Sequence, residues 1–215
     1  MPDFKIESTL VKPVIGIDEV GRGPLAGPVV SCACVFYNTL LSYDQINMLN
    51  DSKKLSKKNR LKALKLIYFM KKNKKLNFAL GYASVEEIDN KNILQATIIS
   101  MKRALLKLNL NEGSIIVDGN FKFTQKKFTC TNIVNGDQLS ISIATASIIA
   151  KLHRDRYMRI IGSKYPNFNW VSNSGYGTKE HIKQIYREGI NIHHRKSFAP
   201  IKNLLNFNKS TYHKR

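Results

Sequence analysis

The stretch GIDEVGRGP, residues 16–24, places two adjacent carboxylates after a short apolar run and follows them with an arginine framed by glycines. The apolar residues from Val14 to Ile17 predict a buried strand, with Asp18 and Glu19 at its end. Two carboxylates in a partly buried place are unfavourable unless a cation neutralises them, and a divalent metal ion would do so. The stretch therefore predicts a strand that leads into a candidate metal site.

The glycines of this stretch bear on how the two acids can act together. Gly21 and Gly23 carry no Cβ, so the backbone can bend sharply there and approach a ligand closely. On a regular strand Asp18 and Glu19 point to opposite faces, so both serve one metal cluster only if the strand ends or twists there. Gly21 permits such a twist. The alternative is that the acids and glycines merely shape a strand-to-loop turn, since surface acids are common.

The rest of the chain predicts an alternation of strands and helices. Further strands are predicted at residues 27–37, 76–83, 114–118 and 128–134. Helices are predicted after Ser56, at 93–108, at 141–157 and from Thr178 to a stop at Gly189, with a short helical turn opened by a capping box at 84–87. This order predicts an α/β fold, a mixed β-sheet flanked by helices on both faces. Ligands of such sheets gather at the carboxyl ends of strands. We expect one domain over residues 1–200, with about 165–200 as a small C-terminal helical appendage and 201–215 as a basic tail.

The charge of the chain is strongly positive. Its 215 residues contain 35 basic and 15 acidic residues, for a formal net charge of +20. Such a field attracts polyanions and speeds their encounter, which makes nucleic acid the first candidate partner. The abundance of Lys, Asn and Ile leaves open a general composition bias instead of a binding surface.

Three cysteines, without a C-x-x-C pair, support neither a disulfide framework nor a structural zinc site. No signal-peptide-type segment is evident, and no apolar run reaches the ~18 to 20 residues of a membrane span. We therefore expect a cytoplasmic protein without a membrane partner. As to its oligomeric state, we expect a monomer.

Two further acids stand where a metal site would need them. Asp118 ends the predicted strand 114–118, and Asp137 follows a glycine in a strand-to-helix connection. Mg²⁺ and Mn²⁺ prefer carboxylate oxygens, and a two-metal site needs several acids that converge. Asp18, Glu19, Asp118 and Asp137 are the candidates, although Asp137 could instead cap the next helix.

Several of these segments resemble one known family. GIDEVGRGPLAGPVV (16–30) closely resembles the opening motif of ribonuclease HII. IVDGN (116–120) and VNGD (134–137), which precedes SIATASIIAK (142–151), are similar to the segments that carry the family's third and fourth acids, with Asn where many members have Lys before Gly-Asp. DSKKL (51–55), SGYGT (174–178) and HRKSFAP (194–200) extend the resemblance to about residue 200.

The resemblance implies a ribonuclease H-like fold and an endoribonuclease. Its substrates would be RNA/DNA hybrids and duplex DNA with embedded ribonucleotides, incised 5′ to the ribonucleotide to leave 5′-phosphate and 3′-hydroxyl ends. Catalysis would use two Mn²⁺ or Mg²⁺ ions held by Asp18, Glu19, Asp118 and Asp137. Ribonucleotide excision from DNA and primer removal would be its roles.

Substrate binding is also implied by the resemblance. Reading a ribonucleotide requires a contact to the 2′-hydroxyl, which backbone groups of Gly21, Arg22 and Gly23 can supply without sequence preference. The family pattern adds Tyr176 as a partner in reading the ribonucleotide and its junction with DNA. Lys53, Lys54 and Lys151 are candidate phosphate contacts.

Three other functions stay open on the sequence. A hybrid- or RNA-binding module without activity fits the charge but leaves the acids unexplained. An enzyme acting on small phosphates fits the acids but leaves the charge unexplained. Ribonuclease HIII is a nearer rival, although its members carry an additional N-terminal domain and about thirteen residues precede the first motif here.

Overall fold

The structure is a computed structural model that describes residues 1–49 and 57–212, with the side chains of 57–58 and 207–212 left undescribed. Lys53 and Lys54 lie outside the described residues. No helix in the described part of the chain is long and apolar enough to cross a membrane.

A five-stranded mixed sheet forms the centre of the fold. Its strands are β1 (Val14–Val20), β2 (Val29–Phe36), β3 (Leu76–Ala83), β4 (Gly113–Asp118) and β5 (Phe128–Ile133). Their spatial order is β3-β2-β1-β4-β5. β1 pairs antiparallel with β2, parallel with β4, and β4 pairs parallel with β5. The predicted α/β mixed sheet is confirmed.

Helices follow the strands along the chain. They are α1 (Lys5–Ser8), α2 (Tyr43–Met48), α3 (Lys57–Lys72), α4 (Val85–Lys107), α5 (Gly136–Leu139), α6 (Ile141–Lys164), α7 (Trp170–Asn173), α8 (Lys179–Glu188) and α9 (Ile201–Tyr212). A 3₁₀ turn at Pro166–Phe168 precedes α7. The predicted basic tail thus contains a helix, α9.

The two faces of the sheet bury different helices. On one face, Ile15 and Ile17 of β1 belong to a buried cluster with Met101 and Leu105 of α4. On the other, Cys32 and Cys34 of β2 pack with residues of α3 and α6. Successive side chains of a strand point to opposite faces of the sheet, so a single strand can contribute residues to both clusters.

β1 approaches the start of α6 very closely. A Cβ on Gly16 would lie 2.4 Å from the carbonyl carbon of Ser142, so only glycine fits between the strand and the helix backbone. This close packing brings α6 alongside the strand that carries the first two acids.

The contacts divide the chain into two compact units. The first comprises Met1–Val20, Val30–Tyr82 and Ile98–His153, and contains the sheet. The second comprises Gly21–Val29, Ala83–Thr97 and Arg154–Arg215. The core of the second unit is a cluster of buried apolar side chains that includes Leu25, Met158, Phe168 and Trp170.

Several boundaries differ from those predicted. β1 continues two residues beyond Asp18, because Glu19 and Val20 still pair with β2. α4 begins at Val85, after a capping box in which Ser84 and Glu87 exchange hydrogen bonds, and is interrupted by non-helical Asn92. α6 extends seven residues past the predicted end. α8 begins after Thr178 and ends at Glu188, just before Gly189, as predicted.

Candidate active site

Asp18 and Asp118 come together because two parallel strands reach the same edge of the sheet. β1 and β4 pair in a register that sets Ile17 opposite Val117, so each aspartate is the next residue along its strand. Asp18 is buried, with 5% of its surface exposed, and Asp118 is half-buried. The predicted end of β4 at Asp118 is confirmed, whereas the predicted end of β1 at Asp18 and Glu19 is too early, because Glu19 and Val20 still pair with β2. The register of β1 and β4 brings the two aspartates together.

The surroundings of Asp18 disfavour its negative charge. Burial is the main reason that the pKa of this carboxyl lies well above its ordinary value, and the charges of Glu19 and Asp118 raise that pKa further. A hydrogen bond from Ser147 of α6 opposes the rise, as does the Glu19 backbone N–H, which donates to Asp18 Oδ1 at 2.7 Å. The site therefore concentrates negative charge that a cation would relieve.

Glu19 lies within a regular part of β1. It is still opposite Ser31 of β2, whereas the pairing of β1 with β4 stops at Ile17. Its side chain is half-buried, and its charge acts on Asp18. Glu19 therefore acts on the Asp18 carboxyl even though the strand does not end between the two acids.

Asp118 is tied to the segment that carries Asp137. Its Oδ1 accepts a hydrogen bond from the backbone N–H of Gly136 at 2.7 Å. Gly136 opens the short helix α5, and the next residue, Asp137, is buried with 1% of its surface exposed. The preceding Asn135 has a left-handed backbone, with φ of 56°, which turns the chain from β5 into α5.

The four candidate acids are not arranged as a complete metal-binding site in the described part of the chain. Within residues 1–49 and 57–212, no group of three or more His, Cys, Asp or Glu side chains has an arrangement that could hold a metal ion. The donor chemistry nevertheless fits Mg²⁺ or Mn²⁺, since all the candidate ligands are carboxylates. The raised pKa of Asp18 shows why like charges would keep apart until a cation is present.

Lys151 lies one helical turn beyond Ser147 on α6. Residues four apart share a helix face, so Lys151 lies on the side of α6 that carries the Asp18 contact. Its side chain is half-buried. This position suits a phosphate contact near the acids.

The second unit brings Tyr176 and the Gly-Arg-Gly segment together. Gly21 is buried with a left-handed φ of 95°, whereas Arg22 and Gly23 are exposed. A Cβ on Gly23 would lie 3.8 Å from Cε1 of Tyr176, whose side chain is 45% exposed. An aromatic ring beside exposed backbone is a suitable surface for a nucleotide.

Comparison with known proteins decides the family. The family description Ribonuclease HII matches residues 15–201. A ribonuclease HII of Wolbachia pipientis subsp. Culex pipiens (strain wPip) is 52% identical over 201 residues, which cover 94% of this chain and 98% of that protein. The chain belongs to the ribonuclease HII family. It is therefore a nuclease and hydrolase of the ribonuclease H type.

Solved structures agree on the fold. The ribonuclease H2 of Pyrococcus horikoshii OT3 matches with a TM-score of 0.67 and 23% identity, over 88% of this chain and 95% of that chain. The Bst ribonuclease HIII in complex with Mn²⁺ matches with a TM-score of 0.64 and 19% identity, over 94% of this chain and 71% of that one. The ribonuclease H-like sheet that the sequence predicts is confirmed.

Two buried arginines were not predicted from the sequence. Arg154 and Arg195 are both fully buried, and their guanidinium groups donate to backbone carbonyls of residues 21–28. Arg154 had a signal, because it falls on the same buried stripe of α6 as Ala150 and Met158, four residues away on either side. Arg195 had no periodic signal, and only the HRKSFAP resemblance marked its segment.

Two buried histidines lie behind the Tyr176 segment, and one of them, His181, bonds to it directly. Trp170 Nε1 donates to His181 Nε2 at 3.0 Å, so His181 Nδ1 carries the proton and donates to the Tyr176 carbonyl at 2.8 Å. His194 Nε2 lies 3.2 Å from His181 Nε2. Burial, reinforced by the neighbouring His181, lowers the pKa of His194 to about 4. Both rings are therefore neutral near pH 7.

Proposed function

We propose that this protein hydrolyses the RNA strand of RNA/DNA hybrids and incises duplex DNA 5′ to embedded ribonucleotides. The observation that carries the proposal is the parallel register of β1 and β4, which brings Asp18 and Asp118 to one edge of the sheet. The net charge of +20 supports a nucleic-acid substrate over a small phosphate. The roles in the cell would be ribonucleotide excision from DNA and primer removal, by a monomer.

Two Mn²⁺ or Mg²⁺ ions would be held by Asp18, Glu19, Asp118 and Asp137. The solved ribonuclease HIII relative is a complex with Mn²⁺. Bound ions would supply Lewis-acid activation of water and stabilisation of the leaving oxygen. The accumulation of charge around buried Asp18 supports this assignment, because a divalent cation would offset the repulsion that raises the pKa of that carboxyl.

The residues of the chain orient the reacting groups. Ser147 and the Glu19 N–H fix the Asp18 carboxyl, and the Gly136 N–H fixes that of Asp118. Water attacks the phosphorus in line, the bond from phosphorus to the 3′ oxygen breaks, and the products carry 5′-phosphate and 3′-hydroxyl ends. Fixed carboxyls lower the reorganisation needed during this step.

Substrate recognition would combine backbone and side-chain contacts. Gly21, Arg22 and Gly23 would read the ribose 2′-hydroxyl through their backbone groups, and Tyr176 would contact the sugar or base at the junction with DNA. Lys53, Lys54 and Lys151 would contact phosphates, which position the duplex without reading sequence.

A single substrate tests the proposal. A labelled DNA duplex with one ribonucleotide is incubated with Mg²⁺, with Mn²⁺ and with EDTA, beside an all-DNA duplex. We expect a metal-dependent nick 5′ to the ribonucleotide and none in the control, and we expect Asp18→Asn and Asp118→Asn to abolish it. Cleavage of the all-DNA duplex at the same rate, or wild-type turnover by either variant, would contradict the proposal.

A further inference from the structure

Arg195 shapes the exposed Gly-Arg-Gly segment from beneath. Its Nη1 donates to the Arg22 carbonyl at 2.9 Å, and its Nη2 donates to the carbonyls of Gly21 at 2.6 Å and Gly27 at 2.8 Å. Its Nε donates to Gly27 O at 3.0 Å. One buried guanidinium therefore binds three carbonyls of a single loop.

Arg154 holds other carbonyls in the same unit. It donates to the carbonyls of Pro28 and Ala26 at 3.0 Å each, and to that of Ser174 at 2.9 Å. None of these three bonds reaches the carbonyl of Gly21 or of Arg22. The two arginines thus bind different carbonyls of the loop, and those of Gly21 and Arg22 accept from Arg195.

The planar guanidinium suits this task better than an ammonium would. Arginine presents five donors in a rigid fork, whereas lysine presents three around one point. Burial, with the positive charge of Arg154, lowers the pKa of Arg195 to about 9, so the group is still charged at pH 7. The four bonds to loop carbonyls offset the loss of water around this charge.

The carbonyl contacts also orient the opposite side of the peptide groups. The peptides from Gly21 to Arg22 and from Arg22 to Gly23 are trans, so each N–H points away from its carbonyl. Because both carbonyls face Arg195, the N–H groups of Arg22 and Gly23 face away from it. These two residues are exposed, and Gly23 adjoins the Tyr176 ring. Successive N–H groups that point the same way form a concave site for oxygen atoms.

We propose that Arg195 is a positioning residue for ribonucleotide selection, which it serves by turning the Arg22 and Gly23 N–H groups toward the substrate beside Tyr176. The proposal rests on the proposed role of the Gly21–Gly23 segment in reading the ribose. Arg195 itself touches only the protein. It acts on specificity because a loop that loses these bonds can rotate its peptides and misdirect the donors.

The test compares binding and amide exchange in matched variants. Arg195→Lys keeps the charge but removes the fork. Arg154→Lys makes the same change in the arginine that packs against Gly21 but donates to the carbonyls of Pro28, Ala26 and Ser174 instead. Arg187→Lys is the exposed control. Each protein binds two duplexes that differ only in one ribose or deoxyribose, with Ca²⁺ as the probe metal. We expect Arg195→Lys to reduce the ribose-to-deoxyribose affinity ratio about 10- to 100-fold, the scale of a misplaced recognition group, with little change in affinity for the all-DNA duplex.

Hydrogen exchange separates this proposal from the proposed function. In Arg195→Lys, the amides of residues 22–23 should exchange faster while those of α8 stay protected. If the wild type prefers neither duplex, the proposed function fails, and the exchange data still decide the positioning role. An unchanged affinity ratio together with unchanged exchange at residues 22–23 in Arg195→Lys would overturn the proposal, as would an equal loss of the ratio in Arg154→Lys.

A milder variant covers the case in which Arg195→Lys does not fold. The Arg195 guanidinium carbon lies 5.0 Å from the Phe198 ring centre, an arrangement that helps to orient it. Phe198→Leu removes this support and leaves all the carbonyl acceptors in place. We expect a smaller fall of the affinity ratio in the same direction, and an unchanged ratio with faster exchange at residues 22–23 would overturn the link to ribose selection.

Discussion

Replacing Gly21 by alanine should destabilise the fold, whereas replacing Gly23, only two positions away, should leave stability nearly unchanged and reduce cleavage. At Gly21 the new Cβ would lie 2.2 Å from Nε of Arg154 and 2.8 Å from the Pro28 carbonyl oxygen. The left-handed φ of 95° adds about 1–2 kcal/mol of backbone strain for a non-glycine residue. Displacing packed atoms adds about 1–3 kcal/mol. We expect Gly21→Ala to lower the free energy of unfolding by about 2–5 kcal/mol.

At Gly23 the same methyl group has room. Its nearest neighbour would be Tyr176 Cε1 at 3.8 Å, an ordinary contact, and Gly23 lies outside the left-handed region. We expect Gly23→Ala to melt within about 2 °C of the wild type, because an accommodated surface change alters stability by less than about 0.5 kcal/mol. The methyl group would nevertheless occupy the surface beside Tyr176, so cleavage of the single-ribonucleotide duplex should fall.

Thermal melts and the nicking assay, run on both variants, check this pair. For a chain of this length, Gly21→Ala should reduce the melting temperature by about 5–20 °C. A Gly21→Ala protein that melts like the wild type would show that the buried Arg154 does not pack against the loop as described. A Gly23→Ala protein that nicks at the wild-type rate would refute the use of that surface by substrate.

Three further predictions concern charge. Asp18→Asn should abolish cleavage but raise the free energy of unfolding in EDTA by about 0.5–2 kcal/mol at pH 7. Because the pKa of Asp18 is higher in the folded than in the unfolded chain, this gain should shrink as the pH falls toward the unfolded-state pKa. Melts from pH 8 to pH 4 that show an equal gain throughout would contradict this. Neutral His194 should lower the free energy of unfolding in acid by up to about 3 kcal/mol, because its imidazole takes up a proton below about pH 6.5 in the unfolded chain but only near pH 4 in the folded one. His194→Gln should therefore flatten the dependence of stability on pH in this range. An unchanged slope would exclude His194 as its source. Mn²⁺ should raise the melting temperature of the wild type by mass action, and an equal rise in Asp118→Asn would place the ion elsewhere.

The positions of the strands along the chain could be predicted where hydrophobic runs are bounded by turn residues, whereas their spatial order in the sheet could not. β3 and α8 have the predicted limits, because a strand between polar segments and a helix between Thr178 and Gly189 carry their own boundary signals. The end of β1 was placed too early, since pairing with β2, a long-range contact, extends it to Val20. Propensity alone does not contain that information.

The candidate site was predictable in its residue types and only partly in its geometry. Asp118 could be assigned to a strand end from its local sequence, whereas Asp18 lies two residues before the end of β1. The register that brings the two aspartates together could not be predicted without the sheet. Arg195 could not be found, because its partners are carbonyl groups more than 160 residues away, and carbonyls leave no mark in a sequence. A sequence shows which side chains are available, but it does not show which backbone carbonyls a side chain such as Arg195 will bind.

The pairing of β1 with β4 also determines when, during synthesis, Asp18 and Asp118 can come together at the edge of the sheet. Gly113–Asp118 must leave the ribosome before β1 has its parallel neighbour, and α6, which supplies Ser147, follows later still. Contacts between such distant segments form late and slowly in folding. A nascent chain that has not yet reached this point carries Asp18 and Glu19 without Asp118 beside them, so the proposed site forms only after the strands and helix that complete it have been made.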